Sequence, residues 1–200
     1  MTGGIGIFGG TFDPPHNAHL AAAVAARHQL GLDHVLMVPA GDPWQKRDRV
    51  IADAHARLQM VRLACAHIEG LVVSEIEVAR TGATYTVDTV EALQHAHAGA
   101  GGFVLILGAD AVANLDSWHR ADDLATMVSV AALPRWSAEG ARVTPAPPSP
   151  RWSVTELSMP RLDIESTAVR AAWASGAPVD GLVPAAVVHY IREHRLYTRT

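Results

Sequence analysis

Residues 4–20 have the sequence GIGIFGGTFDPPHNAHL, which predicts the first strand, turn and helix of the fold. An apolar run over residues 3–8 is typical of a buried strand, and residues 9–15 contain the glycines and prolines of a turn. An alanine-rich helix is expected over residues 17–30, with Gly31 directly after its end. A strand, a loop and a helix in this order form the first part of an α/β fold.

The rest of the chain continues this alternation of strands and helices. Apolar runs predict strands over residues 34–38, 71–78, 103–107, 128–133 and 153–157. Helical spacing of apolar residues predicts helices over residues 55–67, 86–95, 166–175 and 185–194. This order predicts a Rossmann-like, doubly wound parallel sheet of the α/β class, with its ligand crevice at the carboxyl ends of the strands.

Length and proline content predict the domain organisation. The chain has 200 residues and is expected to form a single domain over residues 1–200, ending in a helical segment. Residues 134–150 contain five prolines, and we predict a surface loop without regular structure there.

The composition argues against several classes of function. The net charge is −4 and no segment is strongly basic, so binding to nucleic acid is not expected. The chain lacks an apolar run of the roughly 18 residues that a membrane-spanning helix needs. A single cysteine, Cys65, cannot form an internal disulfide, which favours a reducing, cytoplasmic location. A homo-oligomer is compatible with the sequence, which leaves the oligomeric state open.

Residues 4–9 match the GxGxxG pattern of dinucleotide-binding proteins, but their context does not fit it. In that pattern the glycines form the turn after the strand, whereas Gly4 and Gly6 lie inside the apolar run. Residues 11–15 then separate the last glycine from the helix. We therefore do not expect hydride transfer with a nicotinamide cofactor.

The turn after the first strand has the composition of an anion site. Gly9 and Gly10 allow a phosphate group to approach the backbone, and Thr11 offers a hydroxyl and an N–H group. His16 and His19 are three residues apart at the start of the helix, so both imidazoles are expected on one face, with the positive end of the helix dipole behind them. They can donate hydrogen bonds to developing negative charge.

The histidine pair is also compatible with two roles that involve no anion. An HxxH pair can bind zinc, but zinc needs further ligands, and Asp13 is the only one in the same loop. The pair can equally be a solvated surface feature.

A second candidate anion site has the sequence IESTAVR, residues 164–170. Ser166, as the expected N-cap, and Thr167 offer hydroxyls and free N–H groups, and Arg170 returns over the same end of the helix about one turn later. The planar guanidinium can bind two phosphate oxygens at once. The alternative is an ordinary capping box with a solvated arginine.

The basic residues are 15 arginines and a single lysine, Lys46, which lies in the polar loop over residues 39–53. Because this loop follows the second predicted strand, Lys46 is expected at the carboxyl edge of the sheet, where it can bind phosphate as a point charge. A solvated surface lysine is the alternative.

These segments resemble a known family. The sequence GGTFDPPHNAH, residues 9–19, is similar to the GGTFDPxHxGH signature of the nucleotidyltransferase superfamily that carries the HxGH motif, with Ala18 in place of a glycine. Residues 164–170 are similar to its ISSTxxR motif, with Glu165 in place of the first serine. The similarity extends to Tyr197, and the chain resembles in particular the bacterial nicotinate-nucleotide adenylyltransferases.

The resemblance implies adenylyl transfer from ATP to nicotinate mononucleotide, giving nicotinate adenine dinucleotide and pyrophosphate. Magnesium, Mg2+, would accompany ATP and be bound by phosphate oxygens and water, so no protein metal ligands are expected. The residues implied for catalysis are His16, His19, Lys46 and Arg170. Those implied for ATP binding are Gly9, Gly10, Thr11, Phe12, His19, Gly108, Asp110, Ile164, Ser166, Thr167 and Arg170. Those implied for nicotinate mononucleotide are Thr11, Lys46, Thr86, Asp110 and Trp118.

Two of these residues would select the acceptor. By resemblance, Trp118 would stack on the pyridine ring and Thr86 would contact the nicotinate carboxylate. On residue type alone, Trp118 can equally be a core or surface aromatic residue, and Thr86 a helix N-cap.

The sequence is compatible with two further functions. One is that of a transferase of the same superfamily that acts on phosphopantetheine or on a cytidylyl acceptor, against which the Trp118 and Thr86 segments argue. The second is that of a nucleotide-binding sensor without catalysis, which the intact histidine, lysine and arginine residues disfavour.

Replacement of Lys46 by arginine is expected to lower kcat several-fold although it keeps the charge, because a planar guanidinium does not reproduce a compact ammonium group. Steady-state assays of pyrophosphate release measure the effect, with Arg49→Lys as a matched change in the same loop. Full activity of the Lys46→Arg variant would mean that Lys46 is a solvated surface residue.

Overall fold

The structure, a computed structural model, describes residues 3–41, 52–136, 141–143 and 146–198. The strands β1 to β8 are Ile5–Gly10, His34–Pro39, Leu71–Val73, Phe103–Leu107, Ser129–Ala132, Arg135–Trp136, Arg142–Val143 and Val154–Glu156. The helices α1 to α7 are Asn17–Gln29, Ala54–Cys65, Thr86–Ala96, Ala109–Ala113, Ala121–Met127, Ser166–Ala174 and Ala185–Glu193. No helix within these described ranges is long and apolar enough to cross a membrane.

Six strands form one sheet in the order β3, β2, β1, β4, β5, β8. Parallel pairing joins β1 with β4, β4 with β5, and β5 with β8. The strand order reverses between β1 and β4, which is the switch point at which doubly wound sheets bind ligands. Ile7 lies opposite Leu105 in these two strands, so Gly9 and Gly108 follow at the same carboxyl edge. The predicted Rossmann-like α/β class is confirmed.

Gly6, inside β1, has a packing role. A Cβ atom on Gly6 would lie 2.9 Å from Val35 Cγ2 and 3.1 Å from Ile106 Cδ1. Gly6 therefore lets side chains of the neighbouring strands pack over β1. Strand packing thus explains Gly6 of the GxGxxG match, whereas Gly9 has open space around it.

Contacts among the described residues divide the chain into two compact units. Unit 1 contains Met1–Gly9, Ala22–Leu36 and Tyr85–Arg161. Unit 2 contains Gly10–Ala21, Met37–Thr84 and Leu162–Thr200. Helix α3 packs against α5 in unit 1, and α2 packs against α7 in unit 2. A single domain over residues 1–200 stays a prediction.

The third strand is shorter than the apolar run predicted. It ends at Val73, whereas the sequence indicated a strand over residues 71–78. The segment beyond it forms local turns instead, with the Ala79 N–H donating to the Glu75 carbonyl at 2.8 Å. Because such local bonds use the backbone groups that a strand would offer to a neighbour, the ladder stops.

The proline-rich segment contains regular structure, which corrects the prediction of none over residues 134–150. Strands β6 and β7 pair antiparallel, with Trp136 opposite Arg142. Four of the five prolines lie at positions 145–150, so residues 135–144 have the N–H groups that pairing requires. Proline content over the whole segment concealed this difference between its two halves.

Candidate functional site

The turn at the end of β1 combines one open glycine with one packed glycine. Gly9 is exposed, and a Cβ atom there would meet nothing within 4 Å. A Cβ atom on Gly10 would lie 2.9 Å from Cζ of Phe12, whose φ of 51° falls in the left-handed region. The Phe12 ring is only 2% exposed, so its burial holds this strained backbone. If Phe12 contacts ATP as predicted, the contact is therefore made by its backbone, because its ring is buried.

His16 and His19 lie on one face of the helix start, as their spacing predicts. Their rings are stacked, with centroids 3.6 Å apart. The His16 N–H donates to His19 Nδ1 at 3.2 Å, and the His19 N–H donates to the His16 carbonyl at 2.9 Å. The bond to Nδ1 is the one that a Glu or Gln side chain makes in a capping box, with a histidine in its place.

This cap determines the tautomer of His19. Since Nδ1 accepts a hydrogen bond, the hydrogen of the neutral ring is on Nε2. The Nε2–H is thus the imidazole N–H that the cap does not use. A donor fixed in this way needs no reorganisation when charge develops on a nearby group.

His16 is almost fully buried, which decides its charge. It is 5% exposed, and burial lowers its pKa from 6.5 to about 4. Within the described part of the chain, its Nδ1 has no hydrogen-bond partner. His16 is thus a neutral imidazole at physiological pH.

The buried His16 predicts a loss of stability in mild acid. Its folded-state pKa of about 4 lies below the ordinary 6.5, so as the pH falls through this interval the unfolded chain takes up the proton first. The contribution to the unfolding free energy is intact above pH 6.5 and decreases towards pH 4, by about 2 kcal/mol between pH 7.5 and pH 5. Urea unfolding of the wild type and of His16→Asn at both pH values measures the difference.

The control for this experiment is His67→Asn, which removes an exposed histidine. We expect the variant at position 67 to retain the wild-type pH dependence and the His16→Asn variant to lose about 2 kcal/mol of it. Equal pH dependence in all three proteins would contradict the burial argument.

A buried cluster of Asp13, Arg57 and Tyr197 supports this turn. Asp13 is 2% exposed, and its Oδ1 accepts hydrogen bonds from the Tyr197 hydroxyl at 2.6 Å and from the Ala52 N–H at 3.3 Å. Burial, followed by the charge of Asp13, raises the pKa of Tyr197 above its usual range. Tyr197 has a φ of 60°, and its buried hydrogen bond stabilises that backbone conformation. Asp13, the only further zinc ligand that this loop offers, is engaged in these hydrogen bonds.

Arg57 connects the turn to the chain that follows β2. Its guanidinium is buried, and it donates to the carbonyls of Thr11 at 2.9 Å, Gly41 at 3.0 Å and Ala52 at 3.2 Å. Burial lowers its pKa, and the charge of Asp13 opposes that shift. The sequence interpretation missed Arg57, although its position on one helix face with the buried Val61 and Ala64 was a signal.

The predicted second anion segment docks onto the first. Ser166 Oγ donates to the Pro14 carbonyl at 2.9 Å, and Arg170 Nη1 donates to the Asp13 carbonyl at 2.6 Å. Arg170 Nη1 also lies 3.7 Å from Asp13 Oδ2. Within unit 2, these bonds hold Ser166 and Arg170 against the Asp13–Pro14 part of the turn that also contains Thr11, His16 and His19.

Two details of helix α6 correct the sequence interpretation. Glu165, not Ser166, is the N-cap, and Ser166 is the first helical residue. The Ser166 hydroxyl bonds the Pro14 carbonyl instead of a backbone N–H of its own helix. Glu165 is exposed and makes no side-chain cap, while Thr167 is exposed and Ile164 half-buried.

Lys46 lies outside the described residues. The chain before it is described as far as Gly41, where a Cβ atom would lie 2.1 Å from the Glu77 carbonyl oxygen. Together with the hydrogen bond from Arg57, this close approach fixes the position of Gly41.

Unit 1 holds the other predicted site residues. Gly108 follows β4 as the N-cap of α4, and a Cβ atom there would meet nothing within 4 Å. Asp110 is exposed in the first turn of α4. Thr86 is the first residue of α3, so the N-cap alternative for it is wrong, because Tyr85 occupies that position.

The structure brings the Thr86 and Trp118 segments together within unit 1. The Tyr85 ring lies 4.3 Å, between centroids, from that of His119. These two residues are the direct neighbours of Thr86 and Trp118 in the chain. Trp118 is half-buried, which leaves part of its indole open to a ligand.

Comparisons with known proteins identify the family of the chain. Residues 7–172 match the family model described as Cytidylyltransferase-like, which defines the class. A protein of Bacillus pumilus (strain SAFR-032) named "Probable nicotinate-nucleotide adenylyltransferase" is 41% identical over 193 residues, covering 96% of this chain and 97% of that protein. One of the same name from Dehalococcoides mccartyi (strain CBDB1) is 39% identical over 197 residues, covering 97% of each. The chain therefore belongs to the cytidylyltransferase-like family, as a relative of the nicotinate-nucleotide adenylyltransferases.

Solved structures share the fold. The Plasmodium falciparum nicotinic acid mononucleotide adenylyltransferase complexed with NaAD matches with a TM-score of 0.76, over 98% of this chain and 97% of that one. The sequence identity is 16%, so this similarity concerns the architecture.

Proposed function

We propose that the protein is an adenylyltransferase that joins ATP and nicotinate mononucleotide to give nicotinate adenine dinucleotide and pyrophosphate, a step of NAD biosynthesis. The observation that carries the proposal is the capped His16–His19 pair at a glycine-lined turn, onto which Ser166 and Arg170 dock. The names of the relatives that match over nearly the whole chain support the same reaction.

The reaction requires positioning and charge neutralisation. An oxygen of the nicotinate mononucleotide phosphate attacks the α-phosphorus of ATP, a new P–O bond forms, and the bond to the β-phosphate bridging oxygen breaks. Pyrophosphate leaves with the electron pair of that bond. Because both reactants supply their own oxygens, no protein nucleophile is needed.

The residues of unit 2 have distinct proposed roles. His19 would donate its Nε2–H to the α-phosphate as charge develops, and neutral His16, with Thr11, would orient that phosphate. Arg170 and the amino-terminal end of α6 would bind the departing pyrophosphate. Lys46 would add a point charge at the reacting phosphates.

The residues of unit 1 are proposed for recognition. Gly108 and Asp110 would contact the nucleotides, Trp118 would stack on the pyridine ring, and Thr86 would contact the carboxylate. Mg2+ would arrive as part of the MgATP substrate, bound mainly by phosphate oxygens and water. We place the reaction in the cytoplasm, in accordance with the single cysteine, Cys65.

One assay tests the function. Pyrophosphate release from MgATP is measured with nicotinate mononucleotide, nicotinamide mononucleotide, phosphopantetheine or no acceptor. We expect release with nicotinate mononucleotide. Release with none of the acceptors would refute the enzymatic function, and release with phosphopantetheine alone would refute the proposed acceptor.

A further inference from the structure

Asp116 connects the turn before Trp118 to the segment that follows the β6–β7 hairpin. The single 3-10 turn Leu115–Ser117 precedes Trp118, whose N–H donates to the Leu115 carbonyl at 3.1 Å. Asp116 Oδ1 accepts hydrogen bonds from Trp152 Nε1 at 2.7 Å and from Ser149 Oγ at 3.0 Å. All of these residues belong to unit 1.

The bond between Trp152 and Asp116 has a buried donor and a charged acceptor. Trp152 is 4% exposed, so packing of the indole ring fixes the direction of its N–H donor. This hydrogen bond is the largest cause that lowers the pKa of Asp116. Charge-assisted bonds of this kind are stronger than neutral ones and restrict orientation more closely.

The turn is therefore held from two sides. Leu115 has no exposed surface and anchors the turn in the core. Asp116, the next residue, is held by Trp152, so the direction of the chain entering Trp118 is set by both contacts. Arg151 adds an ion pair with Asp116 at 3.4 Å, but both of these side chains are partly exposed to solvent, so the pair contributes less.

We infer that Trp152 and Asp116 are positioning residues that orient Trp118 for the acceptor ring. This inference rests on the proposed function, in which Trp118 stacks on the pyridine of nicotinate mononucleotide. Stacking depends on the position and tilt of the two rings. The segment that contains Trp152, directly after the proline-rich residues 134–150, thereby has a role in acceptor recognition.

The experiment compares Trp152→Phe, which keeps a buried aromatic ring but loses the N–H donor, with the wild type. We expect the KM for nicotinate mononucleotide to rise about five- to tenfold, the scale of one lost hydrogen bond, with kcat and the KM for ATP within about twofold. Asp116→Ala is expected to act in the same way. Asp116→Asn keeps an acceptor oxygen for Trp152 and is expected to recover most of the loss. Asp122→Asn, at an exposed carboxylate that bonds Arg151, is the matched control.

Two results distinguish failure of this inference from failure of the proposed acceptor contact. If Trp118→Ala leaves the KM for nicotinate mononucleotide unchanged, the stacking role of Trp118 is wrong. If Trp118→Ala raises that KM but Trp152→Phe and Asp116→Ala do not, the positioning role is wrong.

A double variant tests whether Trp152 acts through Trp118. In the Trp118→Ala background, Trp152→Phe is expected to change KM no further, because the residue that it orients is absent. An additive effect would overturn the inference and indicate a general loss of structure instead.

Discussion

Replacement of His19 by alanine is expected to lower kcat for adenylyl transfer by about 10²-fold or more, the scale of removing one preorganised donor to developing charge. The Nδ1 of His19 is occupied by the His16 N–H, so Nε2 carries the hydrogen that alanine removes. Because this donor is proposed to act most strongly in the transition state, kcat should fall more than the substrate KM values rise. Steady-state pyrophosphate release over a range of ATP and nicotinate mononucleotide concentrations measures both parameters.

The second role of His19, as part of the helix cap, needs its own control. His19→Ala also removes the acceptor for the His16 N–H, which could disturb α1 without any chemical effect. Asparagine at position 19 can place Oδ1 where Nδ1 lies, restoring the cap but not the Nε2–H donor. We expect His19→Asn to be as stable as the wild type in urea and as inactive as His19→Ala. Wild-type activity of His19→Asn would show that the ring supports the helix and does not take part in the reaction.

Local sequence patterns were sufficient for most of the sheet. Strands β1, β2, β4 and β5 were predicted to within about two residues, because continuous apolar runs are typical of strands buried on both faces. Strand β3 was overextended because Ile76 and Val78 continue an apolar pattern, while their backbone forms turns. The β6–β7 hairpin was missed because proline content was averaged over a segment whose first half permits pairing.

The candidate site divides in the same way between local and distant contacts. The His16–His19 stack follows from a spacing of three residues on a helix, which the sequence displays directly. The bond between Tyr197 and Asp13 joins residues 184 positions apart, and Ser166 bonds the Pro14 carbonyl across 152 positions. No local pattern encodes such pairs. The sequence predicted Ser166 as an N-cap, whereas it is the first helical residue and its hydroxyl bonds the Pro14 carbonyl.

Replacement of Arg57 by methionine is expected to lower the unfolding free energy by about 3–5 kcal/mol, the scale of removing one partner from a buried charged cluster. Methionine has a similar apolar length, so the loss isolates the guanidinium. The three hydrogen bonds that Arg57 donates to the carbonyls of Thr11, Gly41 and Ala52 would be lost. The buried Asp13 carboxylate would also lose the positive charge of the Arg57 guanidinium. Urea unfolding at neutral pH measures the change.

The same helix supplies the control for this prediction. Arg62→Met removes an exposed arginine of α2 that pairs with Glu75, and is expected to cost no more than about 1 kcal/mol. Arg57→Lys keeps the charge but cannot reach three carbonyls with a planar fork, so it should retain more stability than methionine while lowering kcat. If the Arg57→Lys variant folds stably but has a reduced kcat, Arg57 orients the turn for the reaction in addition to stabilising it. If Arg57→Met were no more destabilising than Arg62→Met, the buried cluster would not be what supports the turn, and the rigidity of the histidine pair would have to come from the α1 cap alone.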